Sequence, residues 1–183
     1  MRRLAGVLVA VISVILAALT GVAGPADSTS QTFQVPLDGT YSLVDGMTAR
    51  VTDVSIARVA ADNAVSTSDL RYLIVSVEVT RLNSNGVMIT ATVTSGGRTF
   101  AADTHPVSPA DGVVTNTPLY FLMEKDAISG AILQLAGGNL MFRGGFHRIY
   151  SIDLGLTAKR VADLDATAEV ATNRLPMTTE AVR

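Results

Sequence analysis

Apolar and polar positions alternate through most of this chain. The clearest run is 72–81, where Leu73, Val75, Val77 and Val79 share one face and Tyr72, Ile74, Ser76, Glu78 and Thr80 the other. A period of two in β-branched residues predicts a strand with one wholly apolar face, and the mixed second face predicts a central strand. Thr32–Val35 alternates before Pro36, and Tyr41–Val44 alternates before Asp45-Gly46. From Met47, Ala49 and Val51 the pattern slips by one residue to Val54 and Ile56, which predicts a β-bulge near Thr52-Asp53. Ala60–Asp69 has no period and is expected to be a loop.

Asn83-Ser84-Asn85-Gly86 reads as a hairpin loop into a second alternating run, Val87, Ile89, Ala91 and Val93. Gly96-Gly97 predicts a turn into Arg98–Ala101. Residues 103–117, with Pro106, Pro109 and Gly112, predict a long connection between two sheets. Leu119, Phe121 and Met123 resume the alternation, Glu124–Ser129 breaks it, and Gly130–Leu135 restores it. Gly137-Gly138-Asn139 and Gly144-Gly145 read as turns around Leu140–Phe142, and Tyr150, Ile152, Leu154 and Leu156 close the series. No body segment shows the helical crossovers that a parallel α/β fold needs. The expectation is an all-β, antiparallel immunoglobulin-like sandwich of about eight or nine strands.

Two segments depart from the strand pattern. Leu4–Ala23 carries no charge and follows Arg2 and Arg3. As a helix its length matches a bilayer core of about 30 Å, with the basic end inside. Residues 1–26 are thus a signal peptide, cut after Gly24 and Ala26 at the −3 and −1 positions, or an uncleaved anchor helix. Either alternative puts the body outside the membrane, secreted or as a single-pass cell-membrane protein with its C-terminus outside. Residues 27–31 form a linker, 32–156 the sandwich, and 157–183 a mobile or weakly helical tail striped by Val161, Leu164, Ala168 and Ala171.

Composition narrows the function. The 183 residues provide enough chain for one domain with a real core. The absence of cysteine means that the fold holds without disulfides, and it excludes a lipobox. A net charge of −2 argues against nucleic acid as a partner. Aromatic residues at 5%, with no Trp, make poor material for stacking on sugars.

Tyr41–Val44, Met47–Val54, the long strand Tyr72–Thr80, Gly97–Phe100 and Phe121–Ala127 follow one another in an order that resembles the DUF4352 and telokin-like group of bacterial surface proteins. The resemblance spans about residues 41–156. It implies an immunoglobulin-like sandwich, anchored at the cell surface, with no catalytic residues to transfer. The chain departs from that pattern in lacking the lipobox cysteine and in having Arg81-Leu82-Asn83 where an Asn-rich strand end is usual.

Candidate chemistry is sparse. His105, near Asp103 and Ser108, would have to work from one Pro-rich loop, and no G-x-S-x-G elbow, HExxH, P-loop or dinucleotide fingerprint accompanies it. Asp163-Leu164-Asp165 starts like a calcium loop but has Ala168 where that loop needs glycine. Arg143, Phe146, His147 and Arg148 flank a glycine turn and make a possible tip for an anionic ligand or lipid head group, against a plain hairpin whose Phe packs back. The expectation is a non-enzymatic module, without cofactor or metal, acting by protein contact at the bacterial cell surface. The alternatives are an accessory subunit of a membrane complex such as a transporter, with residues 4–23 as its transmembrane helix, and a small-ligand-binding or hydrolytic protein whose site has no recognisable motif.

Overall fold

The computed structural model describes residues 31–44, 46–61, 64–65, 69–82, 87–103, 110–139, 148–171 and 178–181. Residues 1–26, expected to be a signal peptide or an anchor helix, lie outside them. The described residues form two packed sheets, a β-sandwich.

The strands are β1 (Gln31–Val35), β2 (Thr40–Val44), β3 (Met47–Ala61), β4 (Ala64–Val65), β5 (Leu70–Arg81), β6 (Val87–Ser95), β7 (Arg98–Ala101), β8 (Val113–Glu124), β9 (Ile132–Asn139), β10 (Arg148–Asp153), β11 (Val170–Ala171) and β12 (Thr178–Ala181). One helix, α1 (Ala158–Ala166), follows β10. The first sheet has the order β1-β10-β9-β6-β7, and the second β11-β3-β5-β8-β12, with β2 and β4 also paired to β3.

Strand β5 is central, hydrogen-bonded to β3 on one side and β8 on the other. Its apolar face, with Leu73, Val75, Val77 and Val79, meets Ile56, Leu119, Phe121 and Met123 of its neighbours and Ile89, Val93, Leu133, Leu135 and Ile152 of the opposite sheet in one buried core. The phase slip in β3 is a register shift between Val51 and Asp53, which returns Val54 and Ile56 to the core face. Gly96 and Gly97 both have positive φ, as the tight β6–β7 turn demands.

Four expectations need correction. Asn83–Gly86 lies outside the described residues, but the strands on either side of it, β5 and β6, belong to different sheets and do not pair as the expected hairpin. Alternation reports which face is buried and is silent about the pairing partner. Gly137, Gly138 and Asn139 belong to β9 rather than a turn, all three paired with β6 and Gly137 also with β10. The loops at 60–69 and 103–117 are shorter than expected, since β3 runs to Ala61, β4 pairs back on it, and β8 starts at Val113. The sandwich is also not wholly antiparallel: β1 runs parallel to β10, and β11 parallel to β3.

The segment 157–183 carries α1, β11 and β12. Thr157 caps α1, its hydroxyl accepting from the Arg160 N–H. Val161 enters the core, with Leu164 and Ala168 packed against it. After α1 the chain pairs β11 with the edge of β3, and β12 covers the edge of β8. Both otherwise open edges of the second sheet are thereby shielded over part of their length.

Candidate functional site

Two places in the fold gather chemistry beyond core packing. The first lies at the α1 end of the sandwich. The pair Ile56 and Leu73 is the last apolar cross-strand pair there, and the next pair on the same face is Arg58 opposite Arg71. Arg71 donates from Nε to Asp165 Oδ1 at 2.5 Å and from Nη1 to the Leu70 carbonyl at 2.9 Å. Lys125, at the start of a 3₁₀ turn after β8, pairs through Nζ with Asp165 Oδ2 at 2.7 Å. Asp165 is buried, and it ties α1 to β5 and to the end of β8. The Arg71 guanidinium, followed by the Lys125 ammonium, holds its carboxyl down at about 2.

The second is the outer face of the same sheet. Ala57, Ile74 and Tyr120 are buried there, although the core lies on the other side, and Tyr72 stands edge-on to Tyr120 with ring centroids 5.9 Å apart. Leu122, directly across from Tyr72, is 42% exposed. Farther along this face the surface becomes polar, with Arg50 donating from Nη2 to both carboxylate oxygens of Glu78 at 2.9 Å.

The residues singled out from the sequence scatter. Arg143, Phe146 and His147 lie outside the described residues, as do His105 and Ser108. Arg148 begins β10 and is exposed, with Nη1 donating to the Ser42 carbonyl at 3.4 Å. Asp103 is exposed and donates its backbone N–H to the Tyr120 carbonyl at 2.7 Å. Of the failed calcium-loop start, Asp163 stays exposed while Asp165 is the centre of the ion cluster. No group of His, Asp and Glu among the described residues could hold a metal ion. No described helix is long and apolar enough to cross a membrane.

The Asp165 cluster escaped the sequence reading because its members are far apart in the chain and none sits in a motif. The cue was a charge, Arg71, where the apolar face of β5 would otherwise continue. The outer-face cluster was visible as Tyr72 and Ile74 on the face opposite the valines, and it was read only as a sign that the strand is central.

No protein-family model matches the chain. No curated protein matches it either. Among solved structures, a proposed lipoprotein of Bacillus subtilis, ycdA, is similar at 16% identity and a TM-score of 0.46. The match covers 68% of this chain and 41% of the other, so this chain spans well under half of that protein. A likeness at that level carries no argument about function, and the two-sheet architecture stands on the strand pairing described above.

Proposed function

We propose that the chain is an extracytoplasmic, non-enzymatic, immunoglobulin-like module that acts by protein contact at the bacterial cell surface. The observation that carries this reading is the second apolar face of the seven-stranded sheet. A sheet with one face in a core normally presents polar side chains on the other. Here the Tyr72, Ile74 and Tyr120 group continues to Leu122, which is substantially exposed. An apolar spot on a face that turns polar farther along, at Arg50 and Glu78, suits the buried centre of a protein interface.

The immunoglobulin-like part of the proposal rests on strand order. An immunoglobulin constant-type sandwich pairs A-B-E-D against C-F-G. With β3, β5 and β8 as A, B and E, the opposite sheet supplies β6, β9 and β10 as C, F and G. The place of D is taken by β12, from the C-terminal end of the chain. Support for placement outside the membrane comes from the charge-free run Leu4–Ala23 behind Arg2 and Arg3.

The test is a photoreactive residue placed at position 122, and at Thr99 as a control, in the chain expressed in its own cells. Thr99 lies on β7 in the other sheet and is exposed. A discrete adduct of one mass from position 122, absent from position 99, is the expected result. Equal, diffuse labelling from both positions would refute contact through this face.

A further inference from the structure

We infer that the outer edge of β1 is a docking edge for β1 of a second copy of this chain, the two strands running antiparallel across a two-fold axis. This surface is separate from the Leu122 face and does not depend on it. The edges of the second sheet are shielded in part by β2, β4, β11 and β12. At the far end of the first sheet β7 is tied to β8, because Arg98 bridges to Glu124 at 3.0 Å and the Asp103 N–H donates to the Tyr120 carbonyl at 2.7 Å. No such cover lies on β1. It pairs with β10, and among the described residues no strand pairs with its other side.

The strand also lacks the devices that keep an edge single. Gln31–Val35 carries no charge and no proline, and it pairs with β10 without a bulge. Phe33 and Val35 pack against the core yet stay half-buried, so apolar surface lies open beside unpaired backbone. Thr32 and Gln34 alternate with them and are exposed. A strand edge of this kind is a template for another strand.

The incoming strand needs a free edge of its own, and β1 of a second copy has one. A charged edge would repel its own image across a two-fold axis, and this edge has no charge to do so. Residues directly opposite in an antiparallel pair share a face of the sheet. A register centred on Phe33 therefore pairs all five residues and keeps the faces continuous. It sets Phe33 against its own copy on the core side, and Thr32 against the other copy's Gln34 on the outer side, within hydrogen-bond reach. Two five-stranded sheets then run on as one. The contact is small, so the dimer is weak and reversible.

The chain contains no cysteine, so an introduced one reports only on its own neighbour. Full-length Thr32→Cys and Gln34→Cys chains in mild detergent are oxidised separately and then as an equal mixture. The register predicts at least fivefold more disulfide-linked dimer from the mixture than from either chain alone. In a second arm, sedimentation follows the cysteine-free chain. Gln34→Lys should weaken association at least tenfold, and adding Thr32→Glu should restore it, because each new carboxylate then stands opposite an ammonium of the other copy. Both positions are exposed, so the unfolding midpoints should match that of the native chain. Equal cross-linking in the three samples, a native chain that sediments as a monomer at every concentration, or a Gln34→Lys chain that associates within twofold of the native one would overturn the pairing.

Discussion

The Tyr150 hydroxyl donates to the carbonyl of Ser42 at 2.5 Å, and by doing so it joins the two sheets. Tyr150 stands on β10 of the five-stranded sheet and Ser42 on β2 of the other. Its ring lies between two more, with Phe33 at 5.6 Å on one side and Tyr41 at 5.5 Å on the other, both nearly parallel. Tyr41 in turn donates to the Pro36 carbonyl. The stack closes the edge of the sandwich where β1 and β2 enter. Tyr150→Phe keeps the rings and removes the bond, which should cost about 1 kcal/mol of unfolding free energy. Tyr150→Ala also removes the stack and should cost roughly 3–5 kcal/mol. Urea unfolding of both variants checks this, and equal losses would show that the hydroxyl, not the ring, holds the edge.

Asp165 makes stability depend on pH at the acid end. Its carboxyl titrates at about 2 in the folded chain, below the ordinary value of 3.8 that it regains on unfolding. A depressed carboxyl contributes stability above its unfolded value and loses it as pH falls through the folded one. The contribution is thus complete above about pH 4 to 5 and is lost towards pH 2, with a size of about 2 kcal/mol. Asp165→Asn should flatten the stability curve across that window. An unchanged slope would show that the carboxylate is not held by Arg71 and Lys125.

At neutral pH the same substitution leaves Arg71 without its buried partner. The expected cost is roughly 3 kcal/mol, because a charge stranded away from water is worse than a pair never made. Arg71→Met combined with Asp165→Leu should recover much of that loss, since both charges then go and apolar bulk takes their place. Additive losses in the double variant, read by chemical denaturation, would show that the two residues act independently.

Helix α1 is short and should depend on its cap. Thr157→Ala deletes the hydroxyl that accepts from the Arg160 N–H and is expected to cost about 1 kcal/mol. Hydrogen exchange should locate the loss in α1 and in β11, which follows it, and leave β5 protected. Loss of protection spread evenly through both sheets would mean that α1 is not a separate unit.

Much of the fold was legible because burial imprints a period of two on each strand. The valines of β5, the bulge in β3 and the Gly96-Gly97 turn could all be read that way. Pairing could not. The run Asn83–Gly86 has the composition of a hairpin loop, yet the strands around it enter different layers, a choice made by packing of whole sheets. Gly137 and Gly138 look like turn residues and instead sit within β9, where β6 pairs with both and β10 also pairs with Gly137. Asp165 was seen only as part of a failed calcium motif, because its partners Arg71 and Lys125 stand 94 and 40 positions away in the chain. The candidate contact face was half legible: Tyr72 and Ile74 stand on a second face that reads as mixed, and Tyr120 and Leu122 join them only through the β5–β8 register.

The most direct test of contact through that face compares the native chain with Leu122→Asp, each recovered from its own cells without denaturation. Both size on a native gel and unfolding midpoint are measured. The native chain is expected to travel in a larger complex, Leu122→Asp to travel as the free chain, and the two to unfold at the same midpoint. A complex of unchanged size with aspartate at that position would contradict contact through that face.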